Sequence, residues 1–307
     1  MLLISFFDYR LIRNNSYVIL FLYFIGIVAL VGLFLFAPEI RGTRAWYRLG
    51  GVSIDPIEYM KLVLVVIMAK YFALRHAEVY RIRHIVLTGM YFFVPTLLIA
   101  FQPNLGPVFI LVLLWIGLLL IAGIRPYHLL AIVLIGVVIF ALGWSVFLLD
   151  YQKARIMSFL EPELDPLGIG WSQLQSKIAI GNGGLLGQGF AQGTQTQYGF
   201  LSEPQTDFIF AAIVEEFGLV GIALVFVLFA IFIWRIVKVG LDAQNNFSRL
   251  FAAGMVILFI GQIFINVGMN LGLLPIIGLS FPLVSYGGSS LIGTYIGLGV
   301  LLSIKTH

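Results

Sequence analysis

The 307-residue sequence contains no cysteine, and only 10% of its residues are charged. Without cysteine, a disulfide framework, a thiolate metal site and a cysteine nucleophile are all excluded. A soluble domain has about 25% charged residues, so this low charge, together with 61% hydrophobic residues, excludes an ordinary soluble enzyme. The net charge of +4 does not indicate nucleic-acid binding, because the basic residues are scattered between apolar runs and form no single patch.

The apolar residues fall into eight runs, and a membrane-spanning helix needs about 20 mainly apolar residues. We predict spans at Tyr17–Phe36, Ile57–Leu74, Ile85–Phe101, Pro107–Gly123, Leu129–Leu149, Phe208–Val237, Leu250–Leu271 and Ser290–Ile304. The expected fold is an all-α polytopic membrane helix bundle that forms a single domain over residues 1–307.

Lysine and arginine are divided unequally between the two sets of connections. One set holds eleven of them: Arg10, Arg13, Lys70, Arg75, Arg81, Arg83, Arg125, Arg235, Lys238, Arg249 and Lys305. The other set holds six: Arg41, Arg44, Arg48, Lys153, Arg155 and Lys177. Because basic residues concentrate in cytoplasmic loops, we expect both termini in the cytoplasm. The histidines (His76, His84, His128 and His307) all fall on that side, so no zinc site is expected on the outer face.

One connection, from Asp150 to Asp207, is long, at 58 residues, and is expected to face outward. It contains a helix-like run, Ser172–Ile180, and turn signals at Asp165–Pro166 and Glu203–Pro204. Its glycines are Gly181, Gly183, Gly184, Gly187, Gly189, Gly193 and Gly199. One interpretation is a loop packed over helix ends. The other is a substrate platform whose glycine-rich turns cradle phosphate, with charge added by Lys153, Arg155 and Lys177.

Acidic residues mark the start of the long sixth span. Asp207 is either part of a helix cap or a partly desolvated carboxylate suited to act as a general base. Glu215 and Glu216 lie roughly 12–14 Å deeper at 1.5 Å per residue, on other faces of the helix. Acids inside a membrane are functional by default, but hydrogen bonding between helices to a basic partner explains these two equally well.

Two further polar features adjoin predicted spans. Glu58 and Lys61, three residues apart, predict either a buried ion pair or a lysine aimed at a bound phosphate. Arg44, Trp46 and Arg48 precede them, where tryptophan is typical of an interfacial anchor and the arginines suit lipid phosphate. The run Ser285–Ser290 predicts a broken helix whose N-terminus points at an anion.

These segments resemble the SEDS family (shape, elongation, division and sporulation) of membrane-embedded peptidoglycan glycosyltransferases, and within it the elongation branch. The resemblance runs from about Asp8 to the C-terminus. It is carried by Gln175–Gly184, Gly193–Gln195, Thr206–Ala211, Glu215–Gly218, Asn266–Gly278 and Phe281–Ser290.

The resemblance implies polymerisation of lipid II on the outer face of the bacterial cytoplasmic membrane, during cell elongation. It places the catalytic carboxylate at Asp207. We predict substrate contacts at Arg44, Trp46, Lys61, Lys153, Arg155, Lys177, Gln195, Ser285 and Ser289. A lipid diphosphate leaves without a general acid, so one base and cationic stabilisation are sufficient. The family also implies a divalent cation, Mg or Mn, and a class B penicillin-binding protein as transpeptidase partner.

The sequence departs from the family pattern in several places. The resemblance begins at the end of the family's second span, so Met1–Phe7 is interpreted as the last turns of a span. Asn104 stands where the family has aspartate, Asp55–Glu58 reads Asp-Pro-Ile-Glu, and Ser202–Gln205 reads Ser-Glu-Pro-Gln. Two other functions stay open: a carrier of lipid-linked precursors lined by Glu58, Glu215 and Glu216, and a non-catalytic scaffold of the elongation machinery.

Overall fold

The computed structural model describes residues 1, 8–39, 43–50, 52–75, 81–146, 150–161 and 168–306. Several sequence-based predictions lie outside these residues. They are residues 2–7 of the predicted span remnant Met1–Phe7, Arg41, His76, the turn at Asp165–Pro166, the end of the fifth span at Leu149, and His307.

Helices dominate the described residues. They are α1 (Arg10–Asn14), α2 (Ser16–Phe36), α3 (Pro56–Arg75), α4 (Ile82–Phe101), α5 (Leu105–Ile121), α6 (Pro126–Val146), α7 (Asp150–Leu160), α8 (Ile169–Gly183), α9 (Thr194–Gln197), α10 (Ile209–Asp242), α11 (Asn246–Asn270) and α12 (Gly288–Thr306). Each of the eight predicted spans falls on one of these helices. The helix-like run Ser172–Ile180 lies inside α8, so that prediction is confirmed.

Six of the described helices, α2, α4, α6, α10, α11 and α12, are long and apolar enough to cross a membrane. The two other predicted spans, α3 and α5, are not among these six helices, each for its own reason. Helix α5 is apolar but only 17 residues long. Helix α3 has 20 residues but carries Glu58, Lys61, Lys70 and Arg75. The chain is therefore a polytopic helical membrane protein, as predicted.

The chain divides into two compact units. The first comprises residues 1–132, 233–261 and 288–307, and the second comprises residues 133–232 and 262–287. The sequence-based prediction of one domain stays a prediction.

Helix α3 lies at the centre of the first unit. Asp55 accepts a hydrogen bond from the Ile57 amide at 2.9 Å, and Pro56 follows it as the first helical residue, an arrangement that favours helix initiation. Small residues on neighbouring helices allow close packing. A Cβ on Gly254 would lie 2.7 Å from Val65, and one on Gly26 would collide with Met60.

A short hairpin precedes α3, and the sequence did not predict it. Strand β1 (Tyr47–Leu49) pairs antiparallel with β2 (Val52–Ile54), with Arg48 opposite Ser53. The Tyr47 hydroxyl donates to the carbonyl oxygen of Ala29 in α2 at 2.6 Å, which ties the hairpin to the first unit.

Aromatic and aliphatic side chains around α10 form the core of the second unit. Phe210, Val214, Ile222 and Phe229 are buried along this helix and pack with Phe281. The rings of Phe229 and Phe281 meet edge to face with centroids 5.3 Å apart. This packing fixes the start of α10, where Asp207 lies, against the segment around Phe281.

Candidate active site

Asp207 lies in the turn that leads into α10. The main chain doubles back here, because the amides of Thr206 and Phe208 both donate to the carbonyl oxygen of Glu203, at 3.2 and 3.3 Å. The predicted turn at Glu203–Pro204 is therefore confirmed. The Asp207 side chain is half-buried, whereas the neighbouring Phe208 is buried in the core. Asp207 thus lies at the boundary between packed side chains and accessible surface.

Two asparagines on α11 hold the main chain of Asp207. The side-chain amides of Asn266 and Asn270 both donate to the Asp207 carbonyl oxygen, at 3.1 and 2.9 Å. The side-chain oxygen of Asn270 accepts from the Ala211 amide at 3.2 Å, and the Asn266 side-chain amide also donates to the carbonyl oxygen of Leu279 at 2.7 Å. Both asparagines are fully buried. They fix the backbone of Asp207 without using its carboxylate.

Ser285 holds the same turn from a second side. Its hydroxyl donates to the carbonyl oxygen of Thr206 at 2.7 Å and accepts from the Phe281 amide at 2.8 Å. The Tyr286 amide donates to the carbonyl oxygen of Gln205 at 2.8 Å. Ser285 is buried, so its hydroxyl is engaged with the protein main chain. The structure therefore gives Ser285 a positioning role beside Asp207.

Gly278 faces the carboxylate of Asp207. A Cβ built on this glycine would lie 3.6 Å from Asp207 Oδ2, within ordinary van der Waals contact. A side chain larger than methyl would extend into the space beside the carboxylate. Glycine therefore keeps the approach to this acid open.

Helix α10 is broken at Gly218, which has φ 67° and ψ −168°. A backbone break inside an apolar helix leaves carbonyl and amide groups without their helical partners, and such groups need other partners at membrane depth. The carbonyl oxygens of Glu215 and Glu216 accept from the amides of Gln188 and Gly189, at 2.9 and 3.0 Å.

The glycine-rich stretch of the long connection completes this arrangement. The amides of Leu219 and Val220, after the break, donate to the carbonyl oxygens of Gly184 and Leu185, at 3.0 and 3.1 Å. A Cβ on Gly187 would collide with the Glu216 carbonyl, so only glycine allows this close approach. The predicted phosphate cradle is wrong for the amides of Gly187, Gln188 and Gly189, because protein carbonyls already occupy them.

Glu215 is fully buried and holds the start of α9. Its carboxylate accepts from the amides of Gln195 and Thr196, at 2.7 and 3.0 Å, and from the hydroxyls of Thr194 and Thr196, at 3.3 and 2.6 Å. This confirms the hydrogen-bonding interpretation of Glu215. The partners are neutral donors from the long connection, however, and not the basic residue that the sequence analysis expected.

The predicted substrate contact Gln195 belongs to this arrangement. Its amide binds Glu215, and its own carbonyl accepts from the Leu201 amide at 3.0 Å. The side-chain oxygen of Gln195 is buried and has no hydrogen-bond partner among the described residues. The main chain of Gln195 therefore helps to hold this part of the fold together. Its side-chain oxygen is left as an acceptor without a donor among the described residues.

A cavity of about 400 Å³ lies beside the turn that carries Asp207. Pro204, Gln205 and Ile209 line one side, and Gln197 and Glu216 contribute polar groups. Gln197 donates to Glu216 at 2.9 Å. The cavity therefore combines amide and carboxylate groups, and Asp207 itself is not among its described lining residues.

Three predicted basic contacts belong to the second unit. Lys153 and Arg155 are half-buried on α7, which packs against α8. Lys177 is exposed on α8, and its side chain lies over the backbone of Gly272, where a Cβ would collide with it. The Ser176 hydroxyl beside it donates to the Asn270 carbonyl oxygen at 2.9 Å, which joins α8 to the helix that holds Asp207.

Lys61 and Ser289 belong to a polar cluster in the first unit. Lys61 is buried and contacts Glu58 at 2.7 Å, which confirms the ion-pair interpretation. The Ser289 hydroxyl accepts from the Asp55 amide and donates to the Ser53 carbonyl, both at 3.0 Å. Burial, then the adjacent Glu58 carboxylate, raises the pKa of Asp55 to about 7, although Lys61 partly offsets this.

Arg44 and Trp46 lie between α2 and the hairpin. Arg44 is exposed and forms an ion pair with Glu39 at 3.3 Å. It also donates to the carbonyl oxygen of Phe34 at 3.4 Å, near the end of α2. Trp46 is half-buried. The described contacts of Arg44 are local, and its role toward substrate stays a prediction.

A family model described as cell cycle protein, named for FtsW, RodA and SpoVE, matches residues 1–307. The chain belongs to this family. It is the SEDS family, whose motifs the sequence analysis identified.

Individual members of the SEDS family match over most of their length. The protein of Escherichia coli (strain K12) named peptidoglycan glycosyltransferase MrdB is 39% identical over 288 residues, covering 94% of this chain and 77% of that protein. The crystal structure of the Thermus thermophilus rod shape determining protein RodA matches with a TM-score of 0.71 and 26% identity, over 99% of this chain and 82% of that one.

A third match is a solved structure described as "Structural coordination of polymerization and crosslinking by a peptidoglycan synthase complex". Its TM-score is 0.84 at 28% identity, and the match covers 99% of this chain and 84% of that chain. At this similarity the fold of this SEDS protein follows that of its solved relatives.

Sequence reasoning did not assign roles to Asn266 and Asn270 in this SEDS protein. They lie one helical turn apart in a largely apolar helix, so both amides point to one face. That spacing was the available signal. Their target, the main chain of Asp207, is 59 and 63 residues away in sequence and has no local signature.

The residues near Asp207 were also tested for a divalent cation. Over the described ranges, no group of three or more histidine, cysteine, aspartate or glutamate side chains could hold a metal ion. The described chain therefore does not fit a metal held by protein ligands alone. A single carboxylate can share a hard cation with substrate phosphates and water, and the divalent cation stays a prediction.

Proposed function

We propose that this SEDS protein is a peptidoglycan glycosyltransferase that polymerises lipid II into glycan strands during cell elongation. The similarity to MrdB and to the RodA crystal structure supports this activity and the elongation role. The observation that carries the site is the turn around Asp207, whose main chain is held by Asn266, Asn270 and Ser285.

The reaction that fits this geometry is a single displacement at the sugar carbon of the lipid-linked donor. Asp207 takes the proton from the acceptor hydroxyl, whose oxygen then forms the new glycosidic bond. The bond from the donor sugar carbon to the polyprenyl diphosphate breaks, and the diphosphate leaves with the electron pair. Asp207 holds the proton until solvent removes it.

The departing diphosphate gains negative charge and needs cationic stabilisation. Lys153, Arg155 and Lys177 are the best candidates, because they belong to the same unit as Asp207. Lys61 is engaged with Glu58, and Arg44 with Glu39, so we give them lesser roles. Trp46, Gln195, Ser285 and Ser289 complete the proposed set, with Ser285 acting through the main chain of Thr206.

We also propose, from the family resemblance, a divalent cation, Mg or Mn, as cofactor. When bound, it would supply charge neutralisation to the leaving group. Polymerisation that is lost with a chelator and restored by the metal would support this part of the proposal, and full activity in excess chelator would contradict it.

We also propose that both termini lie in the cytoplasm and that Asp207 faces outward, which the eleven-to-six division of basic residues supports. The absence of native cysteine makes single-cysteine labelling clean. A membrane-impermeant maleimide should label Tyr198→Cys in intact cells, whereas Leu241→Cys should react only after lysis. The reverse pattern would overturn the orientation.

The proposed partner is a class B penicillin-binding protein that crosslinks the strands. The structure of a peptidoglycan synthase complex among the solved relatives supports it. Co-purification of the two proteins, together with faster polymerisation in the complex than with this chain alone, is the expected outcome.

The carrier hypothesis depends on Glu58, Glu215 and Glu216 lining a path through the membrane. All three carboxylates accept hydrogen bonds from protein groups: Glu58 from Lys61, Glu215 from the start of α9, and Glu216 from Gln197. This engagement favours the enzyme over the carrier.

Asp207→Asn is the decisive variant, because it replaces one carboxylate oxygen and keeps the shape of the side chain. The asparagines bind the Asp207 main chain, so the fold should persist. Polymerisation of lipid II should fall by about 10²–10⁴-fold, the usual contribution of a general base. Asp242→Asn, an exposed position at the other end of α10, is the matched control. Equal activity of the two variants would remove Asp207 from the mechanism.

A further inference from the structure

A second cavity, of about 680 Å³, lies in the first unit, where several helices begin or end. Arg13 and Asn14 at the end of α1, Ser16 at the start of α2, and Ala73 and Leu74 near the end of α3 line it. Lys70, Asn245, Asn246 and Phe247 complete the described lining. None of these described residues is acidic.

Lys70 is the unusual member of this lining. Its ammonium nitrogen is buried and has no hydrogen-bond partner among the described residues. A buried cation without a partner is costly, and such a group in a native protein needs an explanation. Because the lysine side chain is long and flexible, a rotation of its end can bring the ammonium to an anion in the cavity.

The surrounding groups suit an anion with several acceptor oxygens. Arg13 is positioned by a hydrogen bond to the Asn14 side chain at 3.2 Å, and its guanidinium lies 5.8 Å from the centre of the Tyr9 ring. Asn14, Asn246 and Ser16 bring amide and hydroxyl donors to the same cavity. Two cations together with neutral donors form the kind of environment in which phosphate is bound.

The position of the cavity favours a phosphate carried by a lipid. Its lining comes from helix ends on the side that holds eleven of the chain's basic residues, the side proposed above to face the cytoplasm. Anionic lipids of the cytoplasmic leaflet bind basic pockets between membrane helices. Leu74, which is 72% exposed, offers an apolar surface for an acyl chain at the edge of the cavity.

We propose that this cavity binds a phosphate group through Lys70 and Arg13, carried by an anionic lipid headgroup or by a small soluble phosphate. The site is separate from Asp207 in sequence and belongs to the other compact unit. Its occupant supplies the partner that Lys70 lacks among the described residues, and so stabilises the first unit from the side of the membrane that is proposed to be cytoplasmic.

The test is thermal unfolding of the purified full chain in a non-ionic detergent, titrated separately with phosphatidylglycerol, inorganic phosphate and a phosphate-free glycosyl diacylglycerol. Phosphatidylglycerol should raise the midpoint in a saturable manner, and the glycolipid should not. If inorganic phosphate gives the same saturable rise, the source is a soluble phosphate and the site is still supported. Equal stabilisation by the glycolipid, or no stabilisation by either phosphate, would overturn the proposal.

Substitutions of Lys70 and Arg13 test whether phosphatidylglycerol binds in this cavity. Lys70→Met should bind phosphatidylglycerol about tenfold more weakly, the scale expected for loss of one charge-assisted contact, while without lipid its midpoint should equal or exceed that of the parent chain. Lys238→Met removes the same charge from an exposed position outside the cavity and should behave as the parent chain. If Lys70→Met fails to fold, Arg13→Gln should weaken binding and Lys70→Arg should retain it. If phosphatidylglycerol gave the same titration curve for Lys70→Met as for Lys238→Met, the assignment of the site to Lys70 would be contradicted. The same curve for Arg13→Gln as for Lys70→Arg would likewise contradict the role of Arg13.

Discussion

Asp207 and Glu215 are eight residues apart at the start of one helix, yet the structure uses them in different ways. The carboxylate of Glu215 is fully buried and accepts four hydrogen bonds from the start of α9. Asp207 is half-buried, and Asn266 and Asn270 hold it through its main-chain carbonyl. Closeness along one helix therefore does not give the two acids the same role. The atoms through which each residue is held distinguish the two.

The largest expected effect on stability comes from Glu215→Ala. It would leave two amides and two hydroxyls without their acceptor inside the protein, at a cost on the order of 3–5 kcal/mol in the free energy of unfolding. Glu216→Ala removes an acceptor for one described side-chain bond, from Gln197, and should cost about 1–2 kcal/mol. Thermal unfolding of both variants, compared with that of Asp207→Asn, measures how much each of the three acids contributes to stability. If Glu215→Ala were as stable as the parent chain, the structural role given to the Glu215 carboxylate would be contradicted.

A graded glycine series tests the loop that complements the broken helix. Gly187→Ala should cost several kcal/mol, because its Cβ would collide with the Glu216 carbonyl and its φ is +81°. Gly184→Ala has open space around its Cβ but a φ of +50°, so about 1–2 kcal/mol is expected. Gly181→Ala, inside α8 and with open space, should be neutral or slightly stabilising. Equal effects at the three positions would show that close backbone approach is not the cause.

Asp55, in the first unit, should make the stability of the folded chain depend on pH. Its pKa is raised from 3.8 to about 7, so between these values the folded chain keeps a proton that the unfolded chain has lost. Stability should therefore fall as pH rises from about 4 to 7 and level off above. Asp55→Asn should flatten this part of the profile and raise the unfolding midpoint at pH 8. Asp242→Asn is the control, and an unchanged profile in Asp55→Asn would contradict the assignment.

Ser285→Ala is expected to have a modest effect on both stability and activity. The loss of its bonds to Thr206 and Phe281 should cost about 1–2 kcal/mol of stability. A positioning role predicts that kcat falls together with the unfolding midpoint, with KM for lipid II unchanged. A rise in KM without loss of stability would indicate that Ser285 touches the substrate directly.

The sequence predicted the features that depend on local pattern. Eight apolar runs became helices, the helix-like run in the long connection lies in α8, and Asp207 precedes the long helix α10 as expected. The SEDS motifs were visible because they are long and contiguous. The buried pairing of Glu58 with Lys61 was one of the two interpretations that their spacing on the helix indicated.

The features that were missed depend on contacts between distant segments. The break at Gly218 is hidden in the sequence, because the apolar pattern continues through it and glycine is tolerated in membrane helices. The glycine series left two interpretations open, a loop packed over helix ends and a phosphate cradle, since nothing local shows that its amides serve a neighbouring helix. The hairpin Tyr47–Ile54 was missed because its strands have three residues each.

The glycine-rich stretch Gly184–Gly189 pairs in a fixed register with the residues around the break at Gly218. Four backbone bonds join Gly184, Leu185, Gln188 and Gly189 to the residues around Gly218. Adding or deleting a single residue between Gly184 and Gly189 would misalign several of these bonds together. We therefore expect evolution and protein engineering to vary the side chains of Leu185 and Leu186, which are 70% and 79% exposed, while keeping the length of this stretch constant.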